Sequence, residues 1–339
     1  MPAVSVIVPN YNHARFLRRR LDTIFKQSFR DFEVILLDDN STDSSRSILS
    51  EYALRPQVRL DFNEVNSGST FKQWNKGVGL ARGKYVWIAE SDDYADARLL
   101  ERLVPLLDSD PVISLAYCRS RFVTADDQVG TFVDCYLADP DRWTSDFCQH
   151  GREACCSYFL PANPIANASA VLFRKEVYEQ IGGADHNLRL CGDWKLWTAM
   201  ALKGKIAYVC EPLNYFRLHG SSVRSTSGRV ATDVKEYLEV TRWILEHVKI
   251  TTTLLEKTCD ARAELWVPAI LSLRVPLSSK RAILDDVCAL DPYPLRRVLR
   301  PAVATARRKI LRHWRQIRSL LVSPPEPEHT PPRKPSVRA

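Results

Sequence analysis

The sequence predicts an α/β fold in which a mostly parallel sheet lies between layers of helices. Short, β-branched apolar segments alternate with longer segments whose apolar residues recur at helical spacing. The apolar segments are hydrophobic at nearly every position, as are strands that are covered on both faces. The links between segments are short, which favours strand–helix–strand units and a parallel sheet.

The alternation is regular over the first third of the chain. Four strands are expected there, at residues 3–9, 32–39, 58–62 and 84–90. Helices are expected between and after them, at residues 13–27, 40–53, 69–81 and 96–107. The first helix carries its apolar residues on one stripe, and the second begins with the capping-type residues "NSTDSS".

The second half of the chain is less regular. One or two strands are expected at residues 112–126, and residues 127–150 are expected to form a loop. A strand followed by a short helix is expected at 166–183, a helix at 191–205, a strand leading into a polar loop at 206–222, and two or three helices at 230–290.

The net charge of +8 is a property of the C-terminal tail. Residues 291–339 hold 12 Lys and Arg against 3 Asp and Glu, a balance of +9, which leaves about −1 for residues 1–290. Over residues 296–322 the apolar residues share one helical stripe, and most arginines lie off it. This pattern fits an amphipathic helix on an anionic membrane surface, or a helix packed on the core with a solvated basic face.

Composition also indicates a compartment. The nine cysteines include no C-x-x-C pair, which argues for reduced thiols rather than a disulfide framework or a zinc site. No secretory segment opens the chain, and no apolar run approaches the roughly 18 residues that span a bilayer. We therefore expect a cytoplasmic protein, or one peripheral to the cytoplasmic face of the membrane. No nucleic-acid-binding module is recognisable, so no nucleic-acid partner is expected.

Acidic residues follow two of the predicted strands at the point where each strand ends. Asp38 and Asp39 end the second strand, and the segment from Glu90 to Asp93 ends the fourth. In a parallel sheet these ends meet at one edge, where ligands bind. Clustered carboxylates repel one another unless a cation joins them, and such oxygen ligands suit Mg²⁺ or Mn²⁺ together with substrate phosphates. Strand-end aspartates are also common caps and turn formers, so each pair alone is ambiguous.

Three motifs in order make the prediction specific. "VSVIVPNYN" is followed by "VILLDDNSTDSS" and by "NSGSTFKQWNKGVGLARGKYVWIAESDD". Together they resemble the nucleotide-sugar half of family 2 glycosyltransferases, which have the GT-A fold. The resemblance continues through "GGADHNLRLCGDWKLWTAMALKG" and "LNYFRLHGSSV", so that it covers about residues 3–223.

The resemblance implies a domain plan. Residues 1–225 would form the GT-A domain, with a nucleotide-sugar half at about 1–110 and an acceptor half at about 111–225. Beyond it are expected a helical extension, a basic amphipathic helix and a disordered proline-rich tail, at 226–290, 291–322 and 323–339.

The resemblance also implies roles in donor binding. Pro9 and Tyr11 would lie against the nucleobase and ribose, and Asp39 would hydrogen-bond the base. Asn66, with Gly68 allowing close approach, would shape the nucleotide pocket. Two polar residues of the third helix would reach the ribose or phosphate side: Asn75 and Lys76.

The D-x-D motif of the family falls on Glu90, Ser91 and Asp92, within the nucleotide-sugar site. Asp92 would be the leading metal ligand, with Asp93 beside it. Glu90 departs from the usual aspartate; its longer side chain would face the ribose or a metal-bound water. The alternative for Asp92 is a helix N-cap.

The catalytic base of the family opens a helix in an E-D motif. Here the motif is "LCGDW", in which Gly192 replaces the first acid and Asp193 keeps the second. Asp193 would be the general base of an inverting displacement; the alternative is again an N-cap. Arg217 and His219 would close over the diphosphate and counter its charge, although a lone histidine can equally be structural.

The resulting prediction is an inverting, metal-dependent glycosyltransferase with a nucleotide-diphosphate sugar as donor. Its acceptor would be a glycan or a lipid-linked glycan of the cell envelope. Glu90 and Gly192 leave room for a non-catalytic, nucleotide-sugar-binding scaffold protein. A receiver-like or nucleotidyl-transfer domain is a weaker alternative, because it leaves the segments around Asn66 and Asp193 unexplained.

Overall fold

The computed structural model describes residues 1–133, 141–220, 230–272 and 276–288. The predicted basic helix at 291–322, with its membrane segment 296–322, and the proline-rich tail at 323–339 lie outside the described residues.

The first half alternates strands and helices as expected. The strands are β1 (Val4–Asn10), β2 (Phe32–Asp38), β3 (Val58–Phe62), β4 (Tyr85–Ile88) and the short β5 (Tyr94–Ala95). The helices are α1 (Ala14–Phe25), α2 (Ser45–Tyr52), α3 (Thr70–Leu80) and α4 (Leu99–Ser109). Every residue of β1, β2 and β4 is buried, in agreement with the continuous apolar pattern of these strands.

The second half contributes five more strands to the same sheet. They are β6 (Ile113–Thr124), β7 (Val129–Phe132), β8 (Phe147–His150), β9 (Val171–Arg174) and β10 (Lys205–Leu218). The helices here are α5 (Gly151–Ala154), α6 (Lys175–Gln180) and α7 (Gly192–Ala201). The expectation of a loop at 127–150 was wrong for β7 and β8, because both are short strands whose pairing partners, β6 and β10, lie elsewhere in the chain.

The strands lie in the order β3-β2-β1-β4-β9-β6-β10-β5, with β7 on β6 and β8 on β10. The four strands β3, β2, β1 and β4 are parallel. The sheet is mixed beyond them, because β9 inserts antiparallel to both β4 and β6. The chain leaves β1 in one direction through β2 and returns on the other side at β4. This strand-order reversal is where open α/β sheets bind ligands, at the carboxyl ends of the strands.

Hydrophobic cores cover both faces of the sheet. Within the described residues three helices follow the last strand, in agreement with the two or three expected at 230–290: α8 (Val230–His247), α9 (Thr252–Ser272) and α10 (Leu277–Cys288). Residues of α8, among them Val240 and Ile244, belong to the same core as Trp194 and Trp197 of α7. The extension is therefore packed onto the sheet-containing part of the chain.

Candidate active site

The carboxyl ends of β1 and β4 meet at the strand-order reversal. Ile7 of β1 pairs with Ile88 of β4, so the segments after these strands leave the sheet side by side. The His13 ring accordingly lies against the D-x-D segment, with its Nδ1 2.8 Å from the hydroxyl of Ser91. The Ser91 side chain is buried.

Asp92 lies between two histidines. His219, just after β10, places its Nε2 2.8 Å from Oδ2 of Asp92. One ligand atom from each of His13, Asp92 and His219 lies within 4.8 Å of the others, a spacing that one metal ion can bridge. We call these three residues the His–Asp–His cluster. Two nitrogen donors and one carboxylate oxygen fit a divalent first-row ion such as Mn²⁺ better than Mg²⁺, which prefers oxygen ligands.

The protonation states of the cluster suit a cation. Burial lowers the pKa of His13; the Asp92 charge opposes this effect, and His219 adds to it. A neutral imidazole is the form that binds metal. Burial alone would raise the pKa of Asp92, but the hydrogen bond with His219 and the nearby His13 hold this pKa below its usual value. Asp92 is not an N-cap, since α4 begins only at Leu99 after Arg98.

Asp93 faces protein donors instead of the cluster. Its Oδ2 accepts hydrogen bonds from Asn167 Nδ2 at 2.8 Å and Ser169 Oγ at 2.7 Å. Its Oδ1 accepts the backbone N–H of Arg217 at 2.9 Å. Burial and the Asp92 charge raise the pKa of Asp93. These contacts tie β10 and the 167–169 turn to the end of β4, and we assign Asp93 a structural role rather than a metal-binding one.

Glu90 is half-buried beside α3. The indole Nε1 of Trp74 donates to its carboxylate at 2.7 Å. Burial and the Asp92 charge raise the pKa of Glu90 to about 8, and the hydrogen bond from Trp74 opposes them. The extra methylene of glutamate thus lets the Glu90 carboxylate reach the indole of Trp74.

A buried arginine lies behind the acidic segment. The Arg20 side chain of α1 is fully buried, and its guanidinium lies 4.9 Å from the Trp87 ring. None of its side-chain nitrogens has a hydrogen-bond partner within the part of the chain that the structure describes. Burial lowers its pKa to about 10, opposed by the charges of Asp93, Glu90 and Asp92. At that pKa the guanidinium is still charged at neutral pH, so it offsets part of the negative charge from within the fold.

Arg217 is held by the protein. Its Nε donates to the Asp92 carbonyl at 2.6 Å, and one terminal nitrogen donates to the Thr124 carbonyl at 2.7 Å. The other terminal nitrogen pairs with Asp127 at 2.7 Å, and the guanidinium covers the Phe16 ring at 4.6 Å. With its side chain buried and these donors engaged, Arg217 positions the D-x-D segment, while His219 is the member of the predicted pair that reaches the cluster.

The two aspartates after β2 differ in environment. Asp38 is fully buried and accepts from Asn10, from the backbone of Ser41 and from Arg46 at 2.7–2.9 Å. Burial would raise its pKa, but these hydrogen bonds hold the pKa below its usual value. Asp38 thus fixes the turn after β2.

Asp39 organises the loop that would receive the base. Its Oδ1 accepts from Asn63, from the Ser67 backbone and from Gln73, at 2.6–2.9 Å. Its Oδ2 accepts from the Ser67 hydroxyl at 2.8 Å. One lone pair of Oδ2 thus has no hydrogen bond among the described contacts, which suits a carboxylate that would also accept an N–H from a nucleobase.

Four of the other predicted donor-site residues lie in the segments after β1 and β3 or in β1 itself. Asn66 builds the loop itself: it donates to the Asp39 carbonyl at 3.0 Å and accepts from the N–H of Gly68 at 2.7 Å. Gly68 has φ +68°, which explains the glycine. Pro9 is buried in β1, whereas Tyr11 after the strand is 46% exposed and available to a ligand.

Asn75 and Lys76 are engaged within the fold. The Asn75 amide exchanges hydrogen bonds with the backbone of Ala184 at 2.8 and 2.9 Å and accepts the Tyr178 hydroxyl at 2.6 Å. Lys76 pairs with Asp61. Both residues link α3 to neighbouring segments, and these contacts favour structural roles over phosphate binding.

Asp193 lies in the first turn of α7. It is not the N-cap, a position that Cys191 takes. Its Oδ2 is 3.3 Å from the amide of Asn163, and its Oδ1 accepts the N–H of Trp194 at 2.8 Å. The carboxylate is partly exposed, as a base that must reach an acceptor hydroxyl needs to be.

The glycine in the E-D motif has a packing cause. A Cβ built on Gly192 would lie 2.5, 2.6 and 2.9 Å from three carbons of the Phe71 ring. Phe71 is itself held edge-on against Trp74, with ring centroids 5.0 Å apart. A side chain at position 192 therefore has no room while α3 keeps this aromatic pair.

Gly192→Ala should lower the free energy of unfolding by about 1–3 kcal/mol, because overpacking a dense core costs that much. Chemical denaturation measures the change. Phe71→Leu in the same chain should recover part of the loss, giving a non-additive cycle. Full stability of Gly192→Ala alone would contradict the packing explanation.

Sequence reasoning missed three residues of this region: His13, Arg20 and Trp74. His13 follows "PNYN" by one position, so the strand-end argument could have included it. The other two show their roles only through long-range contacts, since the Trp74–Glu90 bond and the Arg20–Trp87 contact depend on how helices pack on the sheet.

The sequence profile of glycosyl transferase family 2 matches residues 5–181. The chain belongs to this family. The match contains the strand-order reversal, the D-x-D segment and the loop around Asp39. It confirms the resemblance seen in the sequence motifs.

Curated relatives of this family member include glycosyltransferases of bacteria. An uncharacterized glycosyltransferase of Nostoc sp. is 26% identical over 230 residues, which is 65% of this chain and 66% of the relative. The TuaG protein of Bacillus subtilis, a glycosyltransferase named for teichuronic acid biosynthesis, is 28% identical over 232 residues, 68% of this chain and 84% of the relative. The chain thus spans just under two thirds of the length of the Nostoc relative.

Solved structures confirm the predicted α/β, GT-A fold. Staphylococcus aureus TarS in complex with UDP-GlcNAc superposes with a TM-score of 0.64 at 18% identity, over 87% of this chain and 88% of that chain. The mannosyltransferase PcManGT of Pyrobaculum calidifontis, in complex with GDP-Man and Mn²⁺, superposes with a TM-score of 0.56 at 20% identity, over 94% and 85%. Among the helices that the structure describes, none combines the length and apolarity that crossing a membrane requires.

Proposed function

We propose that this family 2 glycosyltransferase moves a sugar from a nucleotide-diphosphate donor to a glycan or lipid-linked acceptor, with inversion at the anomeric carbon. The observation that carries the proposal is the His–Asp–His cluster at the strand-order reversal, with the Asp39 loop after the neighbouring strand β2. Asp193, at the start of α7, supplies the base.

Donor binding would use the segments after β1, β2 and β4. Tyr11 offers an exposed ring for the base or ribose, and Asp39 offers a carboxylate oxygen to the base. The TarS complex contains UDP-GlcNAc and the PcManGT complex contains GDP-Man, which supports a nucleotide sugar as donor class here.

The His–Asp–His cluster would hold the metal, with Asp92 as the central ligand. A bound divalent ion would act as a Lewis acid that stabilises negative charge on the diphosphate. The donor set favours Mn²⁺ over Mg²⁺, and Mn²⁺ accompanies GDP-Man in the PcManGT complex. His13, which lies outside the D-x-D motif, would be a further ligand.

The Asp193 carboxylate would perform the proton transfer. The carboxylate accepts the proton of an acceptor hydroxyl as that oxygen attacks the anomeric carbon. The bond to the nucleoside diphosphate breaks in the same displacement, and the new bond forms on the opposite face of the sugar. The proton then resides on Asp193 until solvent removes it. The Asn163 amide orients the carboxylate.

The name of one relative supports the acceptor class that we propose. TuaG is named for teichuronic acid biosynthesis, which supports a cell-envelope glycan as acceptor. We propose a location at the cytoplasmic face of the membrane, with the basic tail as the contact to anionic lipid. The scaffold alternative loses one of its two arguments, because Gly192 has a packing cause that is independent of catalysis.

A thermal-shift panel of UDP-, GDP- and dTDP-sugars, with Mn²⁺, Mg²⁺ or chelator, tests the donor and metal assignments. One donor should raise the melting temperature, because a ligand that binds only the folded state stabilises it by about 2.7 kcal/mol at 100 times its Kd. The shift should be larger with Mn²⁺ than with Mg²⁺ and should vanish with chelator. Release of the nucleoside diphosphate from the same donor then measures turnover. Binding without turnover would favour the non-catalytic scaffold protein, and the absence of both binding and turnover would refute the proposal.

A further inference from the structure

Helix α8 of the C-terminal extension reaches the segment that precedes Asp193. Glu236 is only 8% exposed, and its carboxylate faces the loop before α7. Oε1 accepts the N–H of Arg189 at 2.8 Å, and Oε2 accepts the N–H groups of Leu190 at 2.7 Å and Cys191 at 2.9 Å. One side chain thus satisfies three successive backbone donors.

The chemistry of this contact makes it strong and directional. Successive N–H groups that point to one side form an anion-binding concavity. Hydrogen bonds from N–H groups to an ionised carboxylate are shorter and roughly twice as strong as those between neutral groups. The last of the three donors belongs to Cys191, the N-cap of α7, and Asp193 follows two residues later.

A second contact of α8 holds the other side of Asp193. The Tyr237 hydroxyl donates to the carbonyl of Pro161, and its ring packs on Trp194 with centroids 4.6 Å apart. Pro161 lies two residues before Asn163, whose amide donates to Asp193. Adjacent residues of α8 therefore anchor both chain segments that touch the catalytic carboxylate.

We propose that Glu236 is a positioning residue for Asp193, so that the C-terminal helical extension completes the catalytic centre. Glu236 acts through the backbone of residues 189–191 and touches no substrate. The inference rests on the proposed function, in which Asp193 is the general base. It also places an acidic side chain against Cys191, at the start of α7, although position 192 has no room for one.

Glu236→Gln tests the role, because an amide presents a donor where the carboxylate presented an acceptor. We expect kcat to fall by about 10–100-fold, since a displacement of about 1 Å can cost 100-fold. The Kd of the donor should change less than about twofold, since the hydrogen bonds of Glu236 go to residues 189–191 and not to the donor segments after β1, β2 and β4. Amide hydrogen exchange at residues 189–191 should become faster. Glu239→Gln is the matched control, an exposed glutamate on the same helix.

A cycle with Asp193→Asn separates positioning from general destabilisation. If Glu236 acts through Asp193, Glu236→Gln lowers kcat in the parent chain and has no further effect in Asp193→Asn. An equal factor in both backgrounds, or a weakened donor Kd, overturns the inference. If Asp193→Asn itself leaves kcat unchanged, the proposed catalytic base fails instead, and the two failures are distinguishable.

The same double-mutant cycle is measured with Glu236→Asp, which keeps the carboxylate on a shorter side chain. It should keep more activity than Glu236→Gln if the charge holds the loop. If Glu236→Gln does not fold, the cycle with Glu236→Asp decides alone. A kcat loss that occurs in the parent chain but not in Asp193→Asn supports positioning, and an equal loss in both refutes it.

Discussion

Asp193→Asn should lower kcat for glycosyl transfer by about 10²–10⁴-fold, the usual contribution of a general base. Asparagine has nearly the same shape, and its one oxygen, in place of Oδ1, can still accept the N–H of Trp194. The longer contact of Oδ2 with the Asn163 amide, at 3.3 Å, is lost. It cannot take a proton from the acceptor hydroxyl. Donor affinity and melting temperature should therefore stay close to those of the parent, because the change is confined to the proton transfer.

The control for this variant is Asp185→Asn. Asp185 lies on the preceding loop, and its carboxylate pairs with Lys195 at 2.7 Å. Initial rates at saturating donor and acceptor, with donor Kd from calorimetry, give the comparison. A parent-like kcat for Asp193→Asn would remove this residue from the mechanism, and an equal loss in Asp185→Asn would show that the effect is not specific to the base.

Asp92→Asn should weaken Mn²⁺-dependent donor binding by at least about 10–100-fold. Losses of this size follow even the removal of a group that only supports a metal ligand, and Asp92 is the one carboxylate of the His–Asp–His cluster. Stability should change little, because asparagine can still accept a hydrogen bond from His219. Calorimetric titration of donor with and without Mn²⁺ measures the loss.

The matched variant is Asp93→Asn, one residue away. Its amide would turn a donor toward the N–H and O–H donors that Asp93 now accepts from Asn167, Ser169 and Arg217. An unsatisfied buried donor costs about 1–3 kcal/mol, so denaturation should show a loss of stability of this order. If the two variants exchanged phenotypes, with Asp93→Asn losing metal dependence and Asp92→Asn losing stability, our division of the acidic pair would be wrong.

Local sequence patterns predicted the framework of the site well. The continuous apolar strands β1, β2 and β4 and the helices between them follow from periodicity, and with them the edge at which Asp39 and Asp92 emerge. Such patterns act over a few residues, and the parallel pairing of these strands brings their ends together. The position of the acidic segment was therefore available from the sequence alone.

The different roles of Asp92 and Asp93 within that segment could not be predicted from the sequence. Asp92 and Asp93 are neighbours in sequence, but their hydrogen-bond partners are distant. Asn167 lies 74 positions after Asp93, and His219 lies 127 positions after Asp92. Arg217 was expected to close over the diphosphate, yet its guanidinium already donates to the carbonyls of Asp92 and Thr124. The strands at 129–132 and 147–150 were missed for the same reason, because their partners are distant in the chain.

The Glu236 contact also has a consequence for the order of events during protein synthesis. Every strand of the GT-A sheet in the described residues precedes residue 219, but the carboxylate that holds residues 189–191 comes 45 positions after Cys191. At translation rates of about 5–20 residues per second, the loop before Asp193 is made about 2–9 s before its anchor. If Glu236 positions Asp193 as we propose, the nascent chain has the strands of the sheet before α7 can be fixed, and the site would be complete only after α8 has left the ribosome and packed against the loop before α7.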